Sequence, residues 1–183
     1  MKYNLIRSKR KTISLIVDEK GLTVRAPMRA GKAEIEDVIM QNMKWIETRL
    51  RKAEEMKEKL KEAEPLGEEE LKALVDQAMK IIPERVRFYA PKIGVRYGRI
   101  TIRKQRTKWG SCSNKGNLNF NCLLMLTPPE VIDSIVVHEL CHLKEMNHSK
   151  KFYDEVLRVM PDYPKWQKWL KDNGGLIMMR MRL

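Results

Sequence analysis

The sequence predicts an α+β fold, and three observations carry that expectation. Short β-branched runs bounded by turn residues occupy two stretches, residues 4–26 and 95–124. Longer stretches between and after them place apolar residues at helical spacing. With 183 residues, 43% of them hydrophobic, the chain can bury a proper core as one domain, or as one domain with a small appendage.

In chain order, Asn4 to Arg7, Thr12 to Val17 and Leu22 to Ala26 read as strands. Asp18-Glu19-Lys20-Gly21 turns between the last two, and Pro27 closes the segment. From Lys32 to Glu64 runs one long helical pattern, apolar at Ile35, Val38, Ile39, Met43, Trp45, Ile46 and Leu50. Beyond Leu50 the pattern is mostly charge and reads as an exposed helix or helical linker. Pro65-Leu66-Gly67 is the best break in the chain. Residues 1–64 are therefore expected to form a β unit with its long helix, and residues 68–183 a second domain. A helix from Glu68 to about Ala90 carries Leu71, Leu74, Val75, Met79 and Ile82, with Pro83 expected to kink or interrupt it. Val95 to Tyr97, Ile100 to Arg103 and Asn117 to Leu124 read as strands, with Ser113-Asn114-Lys115-Gly116 turning a hairpin. Thr127-Pro128-Pro129-Glu130 fits a capping box with Thr127 as the cap, opening a helix that runs to about Met146. Ser149 caps the next helix, which ends at Met160, and a last one covers roughly Tyr163 to Lys171 and stops at Gly174-Gly175.

Composition narrows the surroundings. No apolar run approaches the length of a membrane span, and the N-terminus turns basic at Arg7 before a signal-peptide core could form. The expectation is a cytoplasmic protein with no membrane partner. Cys112, Cys122 and Cys141 cannot all pair within one chain and form no Cys-x-x-Cys. That pattern favours a reducing compartment and argues against an all-cysteine metal site. The net charge of +13 is unevenly placed: from Arg85 to Pro129 there are ten basic residues and no acid, and Arg7, Lys9, Arg10 and Lys11 cluster near the start. Such fields attract nucleic acid, nucleotides or acidic protein, and they also keep a protein in solution, so charge alone names no partner.

The chemistry concentrates in His138-Glu139-Leu140-Cys141-His142, well inside the capped helix. Residues four apart differ by about 40° around a helix, so both imidazoles leave one face and can share a metal. Glu139 lies about 100° from His138, beside such a metal rather than on it, where its carboxylate can take a proton from water. His148 is the third candidate ligand. It requires the helix to end near Met146 and Asn147 to turn the chain, since Glu145 stands where the extended three-histidine motif has glycine. Asp154 or Glu155 on the next helix is the rival third ligand. Three ligands beside a carboxylate leave a position open for water, whereas structural zinc commonly takes four protein ligands. The expected cofactor is therefore zinc, and the expected chemistry is hydrolysis with Glu139 as general base. An oxyanion-stabilising donor is also expected, for which Tyr153 and Tyr163 are candidates that equally read as core aromatics.

Val136 to Leu143, followed by Asn147-His148-Ser149 and Phe152, together with Gln105-Arg106-Thr107-Lys108-Trp109-Gly110-Ser111-Cys112-Ser113, resembles the YgjP-like metallopeptidase family, kin to the SprT-like and WLM peptidases. The likeness extends to Arg25-Ala26-Pro27, Lys44-Trp45-Ile46, Met160 to Tyr163 and Trp169-Leu170. It implies a zincin-type α+β core with an antiparallel sheet over the metal-bearing helix, zinc on His138, His142 and His148, and a catalytic Glu139. It also implies a protein or peptide substrate received along an edge strand, with Arg106, Lys108, Trp109 and Gly110 as the expected wall of the cleft. Without the resemblance, Trp109 reads as hairpin packing. Two other functions stay open: a nucleoside triphosphate pyrophosphatase of UTP type, gripping phosphates with the basic segment Arg85–Lys115, and a nucleic-acid-binding module with structural zinc. The sequence has no phosphate-cradling glycine loop or carboxylate cluster to support the first. The second predicts that Glu139 is dispensable.

Overall fold

The computed structural model describes residues 2–18, 21–62 and 64–181, leaving aside the side chains of 56, 57 and 59–62. The chain divides into two compact units, Met1–Ala63 and Glu64–Leu183.

In the first unit β1 (Asn4–Ser8), β2 (Ser14–Asp18) and β3 (Gly21–Pro27) form a sheet of order β1-β3-β2. β1 runs parallel to β3, and β2 antiparallel to it. Strand alternation turns Leu22, Val24 and Ala26 to one face, where they pack with Ile35, Ile39 and Ile46. In the expected turn between β2 and β3, Glu19 and Lys20 lie outside the described residues. The single long helix expected from Lys32 is instead two: α1 (Lys32–Gln41) and α2 (Met43–Glu62). Asn42 separates them. Its side-chain amide donates to the Val38 carbonyl at 2.8 Å, the local competition with helical hydrogen bonding that makes asparagine a poor interior residue.

The second unit opens with α3 (Glu68–Ile93), and Pro83 does not interrupt it. Ala78, Ile82, Val86, Ala90 and Ile93 make one buried stripe across the proline, and burying that stripe outweighs the roughly 3 kcal/mol a helical proline costs. Val95 to Tyr97 is not a strand, because the Val95 N–H is spent closing the helix on the Ala90 carbonyl at 3.1 Å. The sheet consists of β4 (Ile100–Arg103), β5 (Gly110–Cys112) and β6 (Leu118–Asn121), in the order β4-β6-β5. The antiparallel arrangement holds for the β5–β6 hairpin, while β4 joins β6 in parallel, so the sheet is mixed. Beyond β6 the chain coils into a 3₁₀ turn, Cys122–Leu126, which takes Cys122, Leu123 and Leu124 out of the expected strand and buries them.

α4 (Pro129–Cys141) follows, with β5 packed against it. The capping box does not form: the Thr127 hydroxyl donates back to the Leu124 carbonyl at 2.8 Å, and Pro128 occupies the cap. α4 is buried on almost every side, with its own Val131, Ile135, Val136, Val137, Leu140 and Cys141 among the buried residues. Arg85 clamps α3 to it with two bonds to the Asp133 carboxylate, at 2.6 and 2.7 Å, which commits one of the basic residues to structure. α4 ends at Cys141, five residues short of expectation, in a run of turns. α5 (Lys150–Val159) is capped by the Ser149 hydroxyl, as expected. α6 (Tyr163–Arg180) passes straight through Gly174-Gly175. Gly174 is not a stop signal but a packing site: a Cβ there would sit 3.0 Å from the Trp109 ring.

Candidate metal centre

Because α4 is buried nearly all round, its side chains have fixed orientations. His138 and His142, one turn apart, bring their Nε2 atoms to 3.2 Å. The loop after α4 carries His148 back over them, its Nε2 3.0 Å from that of His138. The left-handed Asn147 turn expected to achieve this is absent, since no described residue other than glycine has a positive φ. Consecutive turns at Leu143, Lys144 and Glu145, each N–H bonded back to Leu140 or Cys141, reverse the chain instead.

All three ligand atoms lie within 4.8 Å of one another. Nitrogens around a tetrahedral zinc at about 2.0–2.1 Å stand about 3.3 Å apart, and the two spacings from His138 Nε2, 3.2 and 3.0 Å, are near that value. The remaining ring nitrogens support metal binding. His142 Nδ1–H donates to the Glu145 carbonyl at 3.1 Å, leaving Nε2 an unprotonated acceptor. His138 Nδ1 pairs with the Tyr163 hydroxyl at 2.7 Å. Lone pairs converging in this way repel unless a cation sits among them. Burial lowers the His138 pKa to about 3, helped by its histidine neighbours, and lowers that of His142. Both rings are therefore neutral at pH 7, the form that binds metal. Phe152, fully buried, lies under the trio with ring centroids 4.9, 4.6 and 5.0 Å from His138, His142 and His148.

Glu139 is 5% exposed, and its carboxyl is pushed up to about 8 by burial, against the opposing pull of Lys108. It faces β5 so closely that a Cβ on Gly110 would fall 2.6 Å from its Oε1. Lys108, Gly110, Ser111 and Cys112 form one wall of a cleft of about 250 Å³, opposite His138, Glu139, His142 and His148.

The structure sorts the other expected residues. Lys108 and Gly110 border this cleft. Arg106 and Trp109 instead line a separate cavity with Leu170 and Met178, so Trp109 packs on α6. Asp154 is ion-paired to Lys150 at 2.7 Å. Glu155 is held down to about 2 by Arg158 and Lys144, each at 2.7 Å. Neither carboxylate joins the histidines. Tyr153 and Tyr163 line a different hollow, with Leu157 and Pro164, rather than the cleft. Tyr163 serves from behind, through His138. Asn121 had no signal in the sequence beyond its place in a strand. It is fully buried, donates to the Gln105 and Lys108 carbonyls at 2.7 and 2.9 Å, and takes the Trp109 carbonyl on its own N–H at 2.8 Å.

The Tyr163 hydroxyl gives a direct prediction. Tyr163→Phe keeps the ring packing and removes the partner of His138 Nδ1. It should weaken metal affinity by about 10- to 100-fold in a chelator-competition titration, with the thermal midpoint of the metal-free protein shifting by only a few degrees. Unchanged affinity would show that the 2.7 Å contact does not orient the ring.

Converging imidazoles beside a buried carboxylate define a class: this is a metal-dependent hydrolase. The profile of the YgjP-like, metallopeptidase domain family matches residues 11–74 and 67–173. The chain belongs to that family. Among solved structures it is similar to the metallopeptidase zymogen abylysin of Pyrococcus abyssi, at 21% identity and a TM-score of 0.47 over 51% of this chain and 96% of that one. It is also similar to the zymogen jannalysin of Methanocaldococcus jannaschii, at 22% identity and a TM-score of 0.45 over 50% of this chain and 95% of that one. No curated protein matches in sequence.

Proposed function

We propose that this chain is a zinc peptidase in which His138, His142 and His148 hold the ion, Glu139 is the general base, and an extended peptide lies along β5. The observation that carries the reading is the convergence of three Nε2 atoms next to the Glu139 carboxylate in one cleft. Three imidazoles suit zinc, whereas magnesium takes oxygen ligands, which counts against a magnesium-type nucleotide site. Bound there, zinc would supply a Lewis acid able to bring the pKa of a water to about 7 and to polarise a carbonyl. Glu139, pressed between α4 and Gly110, takes the proton of the attacking water and returns it to the departing amine. The order β4-β6-β5 leaves β5 at the sheet edge, where its backbone can pair with an added strand. No described helix is long and apolar enough to cross a membrane.

The test is metal content paired with activity. Wild type, Asp154→Ala and Glu155→Ala should each bind about one zinc per chain, and His148→Ala should lose it. Cleavage of an unfolded protein should stop with a chelator and return with zinc. Metal-dependent turnover of a nucleoside triphosphate panel, with no cleavage of protein, would overturn the peptide assignment.

A further inference from the structure

Beside the zinc that would polarise the carbonyl, the site as described has no protein group for the charge that develops on the substrate. When the water oxygen bonds to the scissile carbonyl carbon, the C=O π pair moves onto the carbonyl oxygen, and Glu139 holds the displaced proton until the C–N bond breaks. That oxygen then carries a full negative charge and needs a donor or cation beside it. The two tyrosines raised as candidates are not available for the task. Tyr163 is 5% exposed with its hydroxyl on His138 Nδ1, and Tyr153 opens onto the hollow it shares with Leu157.

We infer that Lys108 is the oxyanion-stabilising residue of this peptidase, an assignment that rests on the metallopeptidase reading above. Among the described residues bordering the cleft it is the one cation, on the wall facing His138 and Glu139. It is an exposed residue that borders the cleft, and its backbone is pinned. The fully buried Asn121 side chain donates to the Lys108 carbonyl at 2.9 Å and to the Gln105 carbonyl at 2.7 Å, and the Asn121 N–H takes the next carbonyl, that of Trp109. A buried amide spending both side-chain donors on a surface segment fixes where that segment starts its charged side chain. Gly110, two residues on, closes the strand against Glu139. An ammonium on a four-carbon stem suits an anion that appears only during turnover, because it stays solvated until that charge forms.

The experiment uses the zinc-loaded enzyme with Lys108→Met and Lys108→Arg, both at an exposed position that leaves the Asn121 bonds to the backbone in place. Lys108→Met should lower kcat by about 10²-fold with KM changed less than about threefold and zinc content unchanged. Affinity for a phosphinic peptide, whose tetrahedral anion mimics the adduct, should fall by the same factor as kcat/KM, while affinity for a plain product peptide holds. Lys108→Arg should recover most of both losses. Wild-type kcat in Lys108→Met, or equal weakening of the phosphinic and product peptides, overturns the assignment. Full recovery of kcat in Lys108→Met at higher pH also overturns it, since Lys108 would then act only through Glu139. If Glu139→Gln and zinc removal leave cleavage intact, the metallopeptidase reading fails and takes this one with it. If they abolish cleavage while Lys108→Met is fully active, only the lysine assignment falls.

Discussion

Glu139→Gln is expected to lower kcat by about 10³-fold while the protein stays folded and keeps its zinc. The amide fills the same space between α4 and Gly110 and touches no ligand nitrogen, so the three histidines are undisturbed. What is lost is the ability to accept a proton. Burial already pushes the carboxyl up to about 8 in the metal-free protein, which therefore holds a proton there at pH 7. The sign of the resulting stability effect follows from linkage. A carboxyl whose folded pKa lies above its unfolded value binds more protons folded than unfolded, so it subtracts stability as pH rises from about 4.5 toward 8. A dication nearby favours the carboxylate, so zinc binding at pH 7 should release a proton from wild type and none from this position in Glu139→Gln. Calorimetry in two buffers of different ionisation enthalpy measures that difference. Steady-state kinetics with metal analysis measures the first effect. A variant retaining a tenth or more of wild-type kcat would remove Glu139 from the role of general base.

Gly110→Ala should be nearly as damaging, for a steric reason. Its Cβ would stand 2.6 Å from Glu139 Oε1, 2.8 Å from Cγ and 2.9 Å from Cδ, closer than real contacts allow. Either the carboxylate turns away from the cleft or β5 lifts from α4. The first outcome costs activity; the second costs activity and also about 1–3 kcal/mol of stability, the usual range for overpacking. The expected result is a drop of about 10²-fold in kcat/KM, in line with misplacing a reacting group by about 1 Å, and zinc affinity within a factor of a few. Ser111→Ala, at the adjacent cleft position, adds no atoms and serves as the control. Wild-type kinetics in Gly110→Ala would mean that the strand yields freely and does not aim the carboxylate.

These two residues also mark how far the sequence could be read. The histidine pair and Glu139 were legible because helix geometry is local: four residues make a little over one turn whatever surrounds them. Ser149 as a cap and the β5–β6 hairpin were legible for the same reason. The errors came where a local preference met a packed neighbour. Gly174-Gly175 has the composition of a helix stop, yet α6 continues because Trp109 needs the space at Gly174. Pro83 is a helix breaker by itself, yet the buried stripe through Ile82 and Val86 carries α3 past it. Thr127 looked like the cap of α4, and the 3₁₀ turn beneath it took its hydroxyl instead.

The opposition of a strand to a helix has no local signature at all. Gly110 could be placed in the cleft wall from its motif, but that it borders Glu139 depends on β5 packing against α4, elements joined through the hairpin and the 3₁₀ turn. The same holds for Tyr163 behind His138, 25 residues away, for Phe152 under all three rings, and for Asn121 holding Lys108. The sequence by itself determined the α+β class, the imidazole pair with its carboxylate, and the set of candidates for a third ligand. The tertiary structure brings His148 beside the imidazole pair while Lys144, Lys150 and Arg158 pair with Glu155 and Asp154, and that arrangement supports His148 as the proposed third ligand. The physical reason is that helical spacing is fixed by backbone hydrogen bonds within one segment. Which side chains meet across segments depends on how their buried faces fit, and that is settled only when the chain packs.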